Sequence, residues 1–167
     1  AELGAQAGLI APDAVTANWL AKRAPDRSLI DGFSDSHWAS DPDSHDGTLF
    51  SLDLDSLAPQ AAAPHSPANA AAIPDHDSPQ FTVAYIGACT GAKLDDLRAA
   101  AGMLKGRTVA RGTRLLVAPA SRADQAQAAD EGVMAILESA GATILATACG
   151  MCAGYGPNRL AADDVCI

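Results

Sequence analysis

Phe81-Thr82-Val83-Ala84-Tyr85-Ile86-Gly87 opens the part of this chain that decides its fold. Its apolar core, Thr82–Gly87, is short, rich in β-branched and aromatic residues and closed by glycine, as a buried strand is. Leu94, Leu97, Ala101 and Leu104 then recur at helical spacing, which predicts an amphipathic helix over 94–104. Thr113–Ala118 reads as a second strand. Ser121-Arg122-Ala123-Asp124 resembles a capping box and opens a second helix. Ala126, Ala129, Val133, Ile136, Leu137 and Ala140 form its inner side, and Gly141 ends it. Ala142–Ala146 is the third strand. The order β-α-β-α-β implies an α/β fold: a small parallel sheet with right-handed crossovers, in three α/β/α layers.

Working outward, residues 1–23 read as helical. Glu2–Ile10 forms a first segment, and Pro12-Asp13 opens a second helix through Trp19-Leu20, with Asp13 and Thr16 as cap and first-turn residues. Residues 31–55 carry Asp31, Asp35, Asp41, Asp43 and Asp46 among serines and glycines, the composition of a surface loop. Within it Thr48–Leu54 alternates as a half-buried strand would. Residues 57–80 hold Pro59, Pro64, Pro67, Pro74 and Pro79, which suits either a disordered linker or a tether packed over a neighbour. Three regions follow: a helical segment over 1–30, an acidic, proline-rich linker with one strand over 31–80, and an α/β domain over 81–167.

The 167 residues suffice for one sizeable core. A net charge of −9 argues against a nucleic-acid surface. No stretch resembles a signal peptide, and no apolar run approaches transmembrane length. Four cysteines in such a chain favour metal or redox roles over a disulfide framework, and a cytoplasmic setting. Ala1-Glu2 opens without methionine and Val165-Cys166-Ile167 stops within an apolar run, so the chain reads as a fragment.

The cysteines carry the chemistry. Cys89 follows the first strand, and Cys149 and Cys152 follow the third, spaced C-x59-C-x2-C. Soft thiolates at strand ends point to an iron–sulfur or zinc site. Structural zinc is closed by four ligands, whereas three thiolates leave a metal open for Lewis-acid chemistry. Ligand sites of parallel sheets lie at the carboxyl ends of strands. A strand order 2-1-3 would make the first and third strands neighbours, and the cysteines need that order to meet. Cys149-Gly150-Met151-Cys152 by itself also fits a redox pair, although Gly154, Gly156 and Pro157 suit a wrapping loop better than the helix such pairs usually open. Cys166 is either a small buried hydrophobe or a fourth ligand. His37, His45, His65 and His76 lack ligand spacing and read as surface residues. Ser121 reads as a helix cap rather than a nucleophile. No Gly-x-Ser-x-Gly, P-loop or dinucleotide fingerprint is present.

With those blocks in place the chain resembles the aconitase superfamily, in its 3-isopropylmalate dehydratase branch. The resemblance is carried by Tyr85-Ile86-Gly87-Ala88-Cys89-Thr90, Leu94-Asp95-Asp96-Leu97-Arg98, Leu116-Val117-Ala118-Pro119-Ala120-Ser121 and Ala148-Cys149-Gly150-Met151-Cys152-Ala153-Gly154. Glu2-Leu3-Gly4-Ala5-Gln6-Ala7-Gly8 and Pro12-Asp13 extend it. One departure stands out: the family's usual asparagine two residues after the first cysteine is Gly91 here, which leans toward the dimethylmalate side.

The resemblance implies a [4Fe-4S] cluster held by Cys89, Cys149 and Cys152, with a fourth iron that binds the substrate's hydroxyl and carboxylate. It implies that Glu2 lies near that iron and the departing water. It further implies a hydro-lyase acting on a small 2-hydroxy di- or tricarboxylic acid such as isopropylmalate, in leucine biosynthesis. A separate small swivelling subunit would supply the catalytic serine. The segment whose arginines bind substrate carboxylates falls outside these residues, as do the catalytic histidine and aspartate pair, so the piece alone is expected to be inactive. Two other readings remain: a non-catalytic zinc or dithiol module using Cys149, Cys152 and Cys166, and an interaction fragment in which residues 31–80 wrap a partner subunit.

Overall fold

The computed structural model describes residues 4–23, 26, 28, 39–41, 43–44, 47–77, 79–87 and 89–167. The chain divides into two compact units, Ala1–Leu57 and Ala58–Ile167.

In the first unit the α-helix α1 (Ala14–Ala21) starts where Asp13 accepts hydrogen bonds from the Thr16 backbone N–H at 2.8 Å and the Thr16 hydroxyl at 3.0 Å. Those bonds hold the Asp13 carboxyl below its ordinary pKa. The Arg23 guanidinium stacks over the Trp19 ring at 4.1 Å. The expected helix ahead of it does not form over the described residues 4–12. Gly4 adopts φ +74°, a left-handed conformation incompatible with a helix interior. The strand expected over Thr48–Leu54 is also absent: Leu49 and Phe50 are 92% and 87% exposed, and Leu54–Ser56 is a 3-10 turn capped by Asp53. Alternation without a surface to bury against does not make a strand.

The second unit begins with a two-stranded antiparallel ribbon, β1 (Gln60–Ala62) against β2 (Ala70–Ala72), where sequence had suggested only linker or tether. His76 Nε2 lies 2.8 Å from the Ala61 carbonyl and 3.3 Å from that of Ala71, bridging the two strands.

The core is a parallel sheet of β3 (Val83–Ile86), β4 (Arg114–Val117) and β5 (Ala142–Ile144). β3 pairs with β4 from Val83↔Arg114 to Ile86↔Val117, and β4 pairs with β5 from Leu115↔Ala142 to Val117↔Ile144. The order is therefore first-second-third, not 2-1-3. The place beside β3 expected for the third strand is taken by residues 165–167. Val83 pairs with Cys166 in parallel, Tyr85 N–H donates to the Ile167 carbonyl at 2.8 Å, and Ile167 N–H donates to the Val83 carbonyl at 3.1 Å.

Layering follows from this order. Two right-handed crossovers stepping in one direction leave their helices on one face. α2 (Leu94–Leu104), α3 (Arg122–Asp130) and α4 (Val133–Ser139) bury Leu97, Ala101, Ala128, Val133, Met134 and Leu137 against Leu115 and Val117, with Ala84, Ile86, Ala142 and Ile144 packed alongside. The other face carries Val83, Tyr85, Leu116 and Leu145, covered by Met151 and Cys166 rather than by a second helical layer. α3 and α4 replace the single helix expected to run to Ala140. Gly132, at φ +75°, breaks it. Among the described residues no helix is long and apolar enough to cross a membrane.

Candidate functional site

Both cysteine loops leave the carboxyl edge of the parallel sheet. Cys89 lies three residues beyond β3 and Cys149 five beyond β5, while Cys152 sits in the 3-10 turn Met151–Ala153. All four cysteines are free, and Cys89, Cys149 and Cys152 are exposed. Glu2 lies outside the described residues.

Neighbouring strands stand about 4.8 Å apart, so β4 would keep the ends of β3 and β5 roughly 10 Å from each other. Two features shape the loops on either side of that gap. The Cys89 loop leans toward β4: Ala118 N–H donates to the Ile86 carbonyl at 2.8 Å, and Ala120 N–H donates to the Ala92 carbonyl at 3.0 Å. Ala92 is buried and adopts φ +54°, a left-handed conformation that costs an alanine about 1 kcal/mol. The second loop does not stay over β5. Met151, between its two cysteines, is buried on the helix-free face against Val83 and Leu116. The loop thus passes beneath β4 and reaches β3. Its path is fixed by the Gly150 carbonyl, which accepts from Ala153 N–H at 3.0 Å and Tyr155 N–H at 3.2 Å. Gly154 and Gly156, at φ +78° and +86°, make the turns that follow.

A cavity of about 180 Å³ lies in this crossing, lined by Tyr85, Ala118, Leu145, Cys149, Met151 and Asn158 among others. The lining is mostly apolar, and Cys149 is exposed at its edge. Sequence reasoning missed Tyr85, Met151 and Asn158. The signal was there for the first: Val83 and Tyr85 alternate with Ala84 and Ile86, so Tyr85 had to face away from the helices.

Among the described residues, no three His, Cys, Asp or Glu side chains are gathered closely enough to hold a single metal ion. A four-iron cluster is wider than one ion and spreads its thiolates further apart. The donor set fits such a cluster: three exposed soft thiols from two loops on one edge, beside an apolar cavity. Cys166 does not share this edge. It pairs with Val83 at the start of β3, packs with Leu116 and Met151, and burial pushes its thiol pKa up. Its part-buried position matches the reading as a small hydrophobe. Ser121 accepts from Asp124 N–H at 3.0 Å and caps α3, as expected.

The family model for the aconitase family (aconitate hydratase) matches residues 1–167. The 3-isopropylmalate dehydratase large subunit 2 of Archaeoglobus fulgidus is 36% identical over 168 residues, covering 99% of this chain and 38% of that protein. The 3-isopropylmalate dehydratase large subunit of Endomicrobium trichonymphae is 34% identical over 166 residues, 99% of this chain and 38% of its own length. A probable large subunit from Methanothermobacter thermautotrophicus is 34% identical over 153 residues, 92% of this chain and 35% of its own. The chain thus spans little more than a third of the curated relatives it matches, and it belongs to the aconitase family.

Proposed function

We propose that this chain is the cluster-bearing part of the large subunit of a [4Fe-4S]-dependent hydro-lyase, one that dehydrates and rehydrates a small 2-hydroxy di- or tricarboxylic acid such as isopropylmalate. The observation that carries the reading is the set of three exposed, unpaired thiols on two loops at one sheet edge, in a chain of the aconitase family. Cys89, Cys149 and Cys152 would hold the cluster. When bound, the cluster supplies an open iron as a Lewis acid for a substrate hydroxyl and carboxylate. The chain's own residues fix the two loops, and a mostly apolar cavity lies beside Cys149. Glu2 is assigned to positioning the departing water by family resemblance alone. A small swivelling subunit completes the site, a role supported by the naming of the relatives as large subunits. The four free thiols support a reducing, cytoplasmic setting.

Anaerobic reconstitution of the full-length protein tests this. A brown protein holding about four irons and four sulfides per chain is expected. Replacing Cys89, Cys149 or Cys152 by serine removes the colour, and Cys166→Ser retains it. A colourless protein that takes up zinc instead would favour the zinc or dithiol reading. The 167-residue chain alone is expected to show no isopropylmalate dehydration even with the small subunit present, and measurable turnover would refute that part.

A further inference from the structure

We infer that Tyr85 is a positioning residue of the cluster site, a wedge that sets the spacing between the two cysteine loops. This rests on the cluster reading above.

Tyr85 lies beside both loops. Its ring lies against the bare α-carbon of Gly87, two residues before Cys89, and a methyl added at Gly87 would overlap the ring. On its other side the ring lines the cavity shared with Cys149, Gly150 and Met151. It also packs against the cluster of Val83, Leu116 and Met151 on the helix-free face. The base of the wedge is fixed by the backbone: Tyr85 N–H donates to the Ile167 carbonyl at 2.8 Å.

The Cys89 loop is folded tightly onto this contact. A side chain at Gly91 would bring its Cβ to 2.7 Å from the Gly87 carbonyl oxygen, so Gly91 must stay bare for the loop to turn back. Gly91 and Gly87 therefore hold the loop down on the Tyr85 ring, while Met151 holds the second loop against the same face. The Tyr85 ring then stands between the chain leading to Cys89 and the cavity onto which Cys149 opens. Cys89 and Cys149 must meet the same rigid cluster, so a change in that spacing alters how the cluster is held. Tyr85 performs no chemistry itself and acts through the two cysteines.

The test uses the full-length protein reconstituted anaerobically with ferrous iron and sulfide. It reads cluster content, the electron paramagnetic resonance spectrum of the reduced cluster and the melting temperature together. Tyr85→Phe keeps the ring and is expected to match the wild type in cluster content and spectrum. Tyr85→Ala removes the wedge and is expected to lower cluster affinity ~10-fold, the lower end of the effect of outer-shell residues, and to change the spectrum. Gly87→Ala displaces the ring and is expected to act likewise. In the Tyr85→Ala background Gly87→Ala should add nothing, because the clash has gone. This coupling keeps the outcome decisive if one single variant folds poorly. Equal cluster content and unchanged spectra in Tyr85→Ala and Gly87→Ala would overturn the role while leaving the cluster reading intact. A wild type that takes up no iron and sulfide would instead sink the cluster reading, and the role with it.

Discussion

Asp164 holds residues 165–167 in place through three bonds of its own and one made by its partner Thr82. Its carboxylate accepts from Thr82 Oγ1 at 2.9 Å, from Ala161 N–H at 2.8 Å and from Arg114 at 2.6 Å, and Thr82 Oγ1 in turn accepts from Val165 N–H at 2.9 Å. The Ala161 and Thr82 bonds, followed by Arg114, hold the carboxyl below its ordinary value of 3.8. A carboxyl lowered in the folded state contributes stability above the unfolded value and loses it as pH falls through the folded one. Asp164→Asn is therefore expected to melt a few degrees lower at neutral pH, with the gap to wild type closing below about pH 3.8. Thermal melts of both proteins across that range check it, and a gap constant down to strongly acidic pH would count against the linkage. Leu137, fully buried between the helices and the sheet, marks the other kind of residue. Leu137→Ala should cost about 2–5 kcal/mol in denaturant unfolding. Residues of both kinds differ in how visible they are in sequence. Leu137 fell on the predicted inner face because helical spacing is local. Asp164 gave no signal, because its partners lie up to 82 positions away.

At the scale of elements, α2 was readable to its bounds, Leu94–Leu104, since its apolar spacing and acidic first turn are both local. Lys93 N–H donating to Asp96 caps its start, and Leu94 N–H donating to Asp124 ties it to α3. Arg98 adds a second tie, bonding Glu131 at 2.6 Å and 2.7 Å and Asp95 at 2.7 Å. The split between α3 and α4 was missed because the apolar positions continue in phase through Gly132. The glycine's left-handed φ has open space around a would-be Cβ, so only backbone strain opposes a side chain there. Gly132→Ala is expected to destabilise by about 1–2 kcal/mol, with no change at the cysteine loops. An unaltered or raised melting temperature would show that the two helices can fuse. The β1–β2 ribbon escaped notice for a different reason. Gln60-Ala61-Ala62 and Ala70-Ala71-Ala72 carry no alternation, and their pairing depends on a turn rich in proline. Residues 4–10 and Thr48–Leu54 failed in the opposite sense, showing local patterns that find no burial among the described residues of their unit.

For the molecule as a whole, the class and the parallel sheet were legible, and the strand order was not. Order depends on which strand the chain returns to, and the cysteines seemed to demand adjacency of β3 and β5. β4 stands between them instead, and the second loop is anchored on the face free of helices, where Met151 packs with Val83 and Leu116. One consequence is measurable by hydrogen exchange. β3 and β4 are flanked on both sides, by residues 165–167 and by β5, so amides of Leu116 and Val117 should exchange slowest. Faster exchange there than in β5 would contradict the order.

The three exposed thiols stand outside the hydrogen-bonded ladder, beyond the last paired residues Ile86 and Ile144. The sheet is thus built without them. Loss of the proposed cluster from such loops would leave every strand pairing in place, which would make damage at this edge repairable rather than terminal.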